Sequence, residues 1–215
     1  WLLFLTRFIT YAALINLLIT YLAVFSPWFL QPSSRIISIV FITILLAFIN
    51  HVGVKNSTRF NNVLTIAKLI PLFLFIIVGL FYIEPANFEV KEVPGFSSFS
   101  STVLLLVFAF GGFESVLVNS GEVKNPAKNL PFALLLATTI IAILYVLIQT
   151  VSIGTLPTIG SSDKPLAEAA GLFIGKTGAT IIAIGALFSI TGTLNAIMLV
   201  GSRVPFALSE QQQFP

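Results

Sequence analysis

Six apolar runs, each approaching the roughly 20 residues that an α-helix needs to cross a hydrocarbon core, decide what this chain can fold into. They cover about Trp1 to Phe29, Ile36 to Val54, Val63 to Ile83, Thr102 to Val118, Phe132 to Leu156 and Ala179 to Val200. Inside lipid a chain must satisfy its own backbone hydrogen bonds, and single runs of this length do so as helices. Charge points the same way: only 9% of residues are charged, against roughly 25% in a soluble domain. The expected fold is all-α, a polytopic transmembrane helix bundle. Residues 1–215 are expected to form a single, partial transmembrane domain whose fourth helix is interrupted near 111–113.

The links between the runs are short and polar. Gln31 to Arg35 is a turn, and HVGVKNSTRFNN reads as a short, basic, turn-like connection. EPANFEVKEVPGFSS is acidic and bears Pro and Gly, and GEVKNPAKNLP is a short basic loop. In the link after Leu156, PLAEAAGLFIG is expected to form a short interfacial helix, with Pro165 in its first turn. Alternation across the membrane puts Lys55, Arg59, Lys124, Lys128 and Arg203 on one side. That side is assigned to the cytoplasm, because its cations sit in the shorter connections. Trp1 lies inside an apolar run and the last residues are Gln213, Phe214 and Pro215, so a fragment of a longer protein is expected.

Several function classes fall away. The net charge of +3 is small and its Lys and Arg residues are scattered, which argues against nucleic acid as a partner. With no cysteine and a single histidine, His51, there are no disulfides or thiolate sites, and neither a metal nor a cofactor is expected. No GxSxG, phosphate-binding loop or HExxH motif is present, so an enzyme is not expected.

The chemistry concentrates in Phe108 to Pro131, FAFGGFESVLVNSGEVKNPAKNLP. Gly111 and Gly112 each lower helix propensity by about 1 kcal/mol relative to Ala, and the ionisable Glu114 follows at once. Glycine also serves close packing between membrane helices, but a packing face needs no carboxylate. Breaks of this kind mark midplane sites in secondary transporters. If the helix unwinds here, carbonyls of Phe108 to Gly111 can accept from an ammonium, and the N-terminus of a following half-helix near Phe113 can face a carboxylate. Such a site suits a zwitterion. The substrate-binding candidates are therefore Phe108, Ala109, Phe110, Gly111, Gly112 and Phe113.

Lys68 lies about six residues, roughly 9 Å, into its run. It either snorkels to the interface or serves as a buried amine that exchanges a proton during transport or stands in for a bound cation. Arg7 is best read as snorkelling or paired with a segment outside this chain. Ser189 and Thr193 are one turn apart and share a helix face, although most such hydroxyls bond only their own backbone. With Glu114 and Lys68 they form the coupling and gating set. Glu122 and Asn125 suit capping or a cytoplasmic gate.

FAFGGFES followed by GEVKNPAKNLP resembles the sixth membrane helix and following loop of amino acid permeases in the amino acid, polyamine and organocation superfamily. NNVLTIAKLIPLFLFIIVG is similar to that family's fifth helix, SRVPFALSEQQQFP to the end of its eighth, and WLLFLTRFITYAALINLLITYLAVF to its third. The resemblance spans essentially the whole chain. It implies a leucine-transporter-like fold of two inverted five-helix repeats, of which this chain holds the third to eighth helices. It also implies that Phe108 is an aromatic gate, that Ala109 to Gly112 bind the substrate amino group, and that Glu114 acts in coupling or gating. Lys68 matches the lysine that replaces a sodium ion in several relatives, with Ser189 as its neighbour. The expected partners are a small amino acid or amine, protons, the lipid bilayer and the remaining helices of the same transporter. The expected location is the cell membrane, and the expected function is transport by alternating access, proton-coupled or by exchange. The rival expectation is a channel-like or structural membrane subunit, distinguished by linear, voltage-driven rather than saturable flux.

Overall fold

A computed structural model of the chain describes residues 2–52, 54–89, 95–112, 123–162 and 164–201, with Pro205 and Ser209. Among these residues the regular structure is entirely helical. The α-helices are α1 (Leu2–Leu22), α2 (Pro32–His51), α3 (Val54–Gly79), α4 (Phe96–Ala109), α5 (Pro126–Thr155), α6 (Pro165–Phe173) and α7 (Lys176–Gly201). Helices α1, α2, α3, α5 and α7 are long and apolar enough to cross a membrane. The all-α bundle expected from the apolar runs is the observed class.

Helix α1 ends at Leu22 rather than near Phe29, and α2 starts at Pro32, inside the stretch expected as a turn, with proline in its first turn; three further boundaries also differ, each for a local reason. Residues 55–62, expected as a loop, continue α3. Between Gly53 and Pro71 no Gly or Pro intervenes, and Lys, Asn, Ser, Thr and Arg each cost only tenths of a kcal/mol in a helix. At 26 residues, α3 is about 39 Å long, so its polar first turns reach past a hydrocarbon core of about 30 Å.

Helix α5 starts at Pro126 rather than near Phe132. Proline at a first helical position loses no hydrogen bond, and Asn125 turns the chain there with φ 48°. The Asn125 carbonyl accepts from the Lys128 and Asn129 amides at 3.1 and 3.0 Å. Helix α4 starts at Phe96 rather than Thr102, because its hydroxyls bond backward along the helix. Ser101 donates to the Ser97 carbonyl and Thr102 to that of Ser98, at 3.0 and 2.9 Å.

The chain forms two compact units, Trp1–Ile77 with Leu166–Pro215, and Val78–Pro165. In the first, α7 is the most enclosed helix, with Ile182, Ala183, Ile190, Leu194, Ile197 and Val200 buried. Ile190 and Leu194 meet Ile15 and Leu18 of α1 and Leu46 of α2 in one apolar core.

Lipid tails are as apolar as leucine, so burial alone does not hold such helices together; close approach and interhelical hydrogen bonds do. Both devices are present. Gly185 and Gly192 of α7 face α3, where an added Cβ would lie 2.5 Å from Pro71 Cγ and 3.4 Å from Leu64 Cβ respectively. Asn195 on α7 is wholly buried and its Oδ1 accepts from Asn50 Nδ2 on α2 at 2.9 Å. Arg35 in the first turn of α2 donates to Asn16 Oδ1 of α1 at 2.7 Å.

In the second unit, the buried end of α5 seats the turn that follows α3. The Gly154 carbonyl accepts from the Glu84 amide and from Asn87 Nδ2 at 2.9 and 2.8 Å. A side chain at 154 would meet Ile83 at 3.0 Å and Phe88 at 3.1 Å, so glycine is what allows the seat.

Candidate functional site

Lys68 stands on α3 nine residues, about 14 Å, beyond Arg59, where the apolar part of that helix begins. It is half-buried and lines a cavity of about 200 Å³ within the first unit, with Tyr21 of α1, Pro71 of α3, Leu166 of α6 and Gly185 and Ser189 of α7 around it. Among the described residues no carboxylate lines this space. Helix α6 closes part of the wall. It ends at Phe173, two residues before Gly175, whose φ of 75° suits the left-handed residue after a helix, and Phe173 packs on Phe75 of α3 with ring centres 5.5 Å apart.

The geometry separates the coupling candidates. Lys68 and Ser189 share the cavity, whereas Thr193 does not line it. Thr193 is exposed, and its hydroxyl donates to the Ser189 carbonyl at 2.9 Å, the self-bonded arrangement usual for such residues. Arg7 lines a different cavity of about 400 Å³, walled by Phe4, Phe8, Tyr11, Thr43 and Met198.

In the second unit the substrate-binding candidates lie where α4 ends. Phe108 and Ala109 are its last two residues, and Phe110, Gly111 and Gly112 form a turn. The Phe110 amide still bonds back to the Leu106 carbonyl at 3.1 Å. Gly112 then takes φ 106°, a conformation that only glycine adopts without strain. Phe113, Glu114 and Glu122 lie outside the described residues.

Tyr145 of α5 is a functional candidate that the sequence did not single out. Its hydroxyl donates to the Ala109 carbonyl at 3.1 Å, and its ring meets Phe110 edge-on with centroids 5.2 Å apart. A phenol near the middle of the fifth apolar run was the available signal. Asn195, the one amide inside the sixth run, was a second.

Comparison with known proteins fits this arrangement. The family model described as amino acid permease matches residues 1–215. The chain belongs to the amino acid permease family. As a member of this family it is an integral, multi-pass membrane protein and not an enzyme. It is 34% identical over 177 residues to the methylthioribose transporter of Bacillus subtilis (strain 168), covering 82% of this chain and 38% of that protein. Identity is again 34% to the branched-chain amino acid permease BcaP of the same strain, over 81% of this chain and 38% of the relative. The serine/threonine exchanger SteT, also from that strain, is 34% identical over 85% of this permease chain and 42% of its own length. The chain therefore spans about two-fifths of the length of the curated relatives it matches.

Proposed function

We propose that the permease to which this chain belongs is a secondary transporter of the cell membrane that moves amino acids or related amines by alternating access, coupled to protons or to exchange. The observation that carries this reading is the end of α4. An apolar helix stops at Ala109 and turns through Gly112 at φ 106°, which brings the last carbonyls of the helix out of its own ladder. In lipid such groups need partners beyond the helix; the Ala109 carbonyl takes one from Tyr145, and in this reading a substrate ammonium supplies another. Phe108 to Phe113 hold the solute in this reading, and Glu114 follows them as the gating acid.

Lys68 is the coupling residue, with Ser189 beside it. Among the described residues no carboxylate lines its cavity, which supports an amine that gives up and regains its proton during transport. The names of the relatives, covering amino acids and a thiosugar, support a small polar solute.

Uptake by the full-length protein in liposomes, across a panel of amino acids with and without an imposed pH gradient, tests the reading. Saturable uptake that rises with an inward proton gradient is expected, and Lys68→Ala is expected to abolish that rise while leaving the protein folded. Non-saturating flux that follows voltage alone refutes the carrier, and a Lys68→Ala variant with unchanged proton dependence removes Lys68 from the coupling.

A further inference from the structure

Gly185 faces the ring of Pro71 with no room between them. A Cβ at 185 would lie 2.5 Å from Pro71 Cγ and 3.1 Å from Pro71 Cβ, and a proline ring, unlike the tip of a long side chain, cannot swing aside. Pro71 is fixed twice over, since it sits inside the continuous helix α3 and is buried. It also has no N–H to give the Ala67 carbonyl.

Pro71 and Lys68 are three residues apart on one face of α3, and Gly185 and Ser189 four apart on one face of α7. The second close approach, of Gly192 to Asn61 and Leu64, shows that the two helices run antiparallel here. Along α3 from residue 71 back towards 61, the facing positions on α7 rise from 185 to 192. Lys68 and Ser189 therefore lie at one level, bracketed by the two glycine contacts, and both line the same cavity.

We infer that Gly185 is a positioning residue for coupling: by letting the Pro71 ring seat against α7, it fixes the depth and direction from which Lys68 reaches the Ser189 level. This rests on Lys68 being the coupling residue proposed above. The influence of Gly185 is placed on the proton-driven step that Lys68 carries rather than on substrate recognition. Among the described residues the other titratable group lining the cavity is Tyr21 of α1, and α6 and α7 contribute none.

The test is proton-driven uptake into liposomes by the full-length protein carrying Gly185→Ala, Pro71→Ala or both, each measured over pH 5 to 8. Gly185→Ala is expected to lower the maximal rate tenfold or more and to shift its pH profile, with KM within twofold of wild type. Adding Pro71→Ala, which removes the colliding ring carbons, is expected to return the profile to that of wild type and at least half of the rate.

If Gly185→Ala alone does not accumulate in the membrane, the double variant decides. Recovery of both folded protein and profile supports the inference. Folded protein without the wild-type profile overturns it, as does a double variant that still fails to accumulate. A Gly185→Ala protein with the wild-type profile also overturns it while leaving Lys68 in place. Wild-type uptake that ignores pH instead fails at the coupling reading and takes this inference with it.

Discussion

The amide pair Asn50–Asn195 offers a direct measure of what holds these helices together. The Asn195 side chain has no exposure to solvent and its Oδ1 lies 2.9 Å from Asn50 Nδ2. The Asn50 amide group also donates along its own helix to Leu46 at 2.8 Å, which fixes the direction of the interhelical bond. Interhelical hydrogen bonds in membrane proteins average about 0.6 kcal/mol and reach about 1.7 kcal/mol. A bond between two oriented amides, one wholly buried and the other half-buried, belongs within that range.

The perturbation is a double-mutant cycle of Asn50→Ala, Asn195→Ala and both. Asn195→Ala alone should cost the more of the two singles, because it also leaves a hole in a closed site. That packing cost appears on both sides of the cycle and cancels. A coupling energy of about 0.6–1.7 kcal/mol corresponds to about a three- to sixteenfold change in the unfolding equilibrium. The assay is reversible unfolding of the purified protein in mixed micelles, followed by far-UV circular dichroism. Coupling within about 0.3 kcal/mol of zero, the ordinary error of additivity, would refute the claim that this bond joins α2 to α7.

Two further predictions follow from close contacts. Tyr145→Phe keeps the ring against Phe110 but removes the hydroxyl that donates to Ala109; a neutral hydrogen bond is worth about 0.5–1.5 kcal/mol, so KM for uptake should rise about two- to twelvefold, and an unchanged KM would separate Tyr145 from the substrate site. Gly178→Ala places a Cβ 2.4 Å from Ile174 Cβ and 2.8 Å from the Ala170 carbonyl; overpacking of this kind costs about 1–3 kcal/mol, to be read as a lowered midpoint in the same micelle unfolding, and full stability would show that α6 moves freely on α7.

The class of fold was legible because length and apolarity are properties of whole runs, and lipid leaves a chain of this kind little choice but helices. Boundaries were less legible. Polar residues at 55–62 read as a loop under rules for aqueous turns, yet no Gly or Pro there obliges the helix to stop. The Phe108–Gly112 stretch stood out through two glycines beside an acid, and Lys68 through its charge alone. Thr193 entered only by its spacing from Ser189, and spacing along one helix does not say which side faces a cavity. Asn195 and Tyr145 were passed over because a single polar residue in an apolar run carries no partner in its own sequence; their partners lie 145 and 36 residues away.

A consequence for the mechanism follows from how few interactions distinguish one packing of such helices from another. Apolar side chains facing lipid and facing a neighbouring helix have nearly the same solvent, so a small rearrangement of α3 against α7 changes little apolar transfer energy. What it does change is the seat of Pro71 on Gly185 and the approach of Leu64 to Gly192, both steric and lost within fractions of an ångström. Helix α7 is tied to α2 by the Asn50–Asn195 bond and to α1 through the apolar core that holds Ile15 and Leu18, whereas its close approaches to α3 are matters of shape. In a carrier that alternates, the interface held by shape is the one expected to shift, and it is the one that contains Lys68.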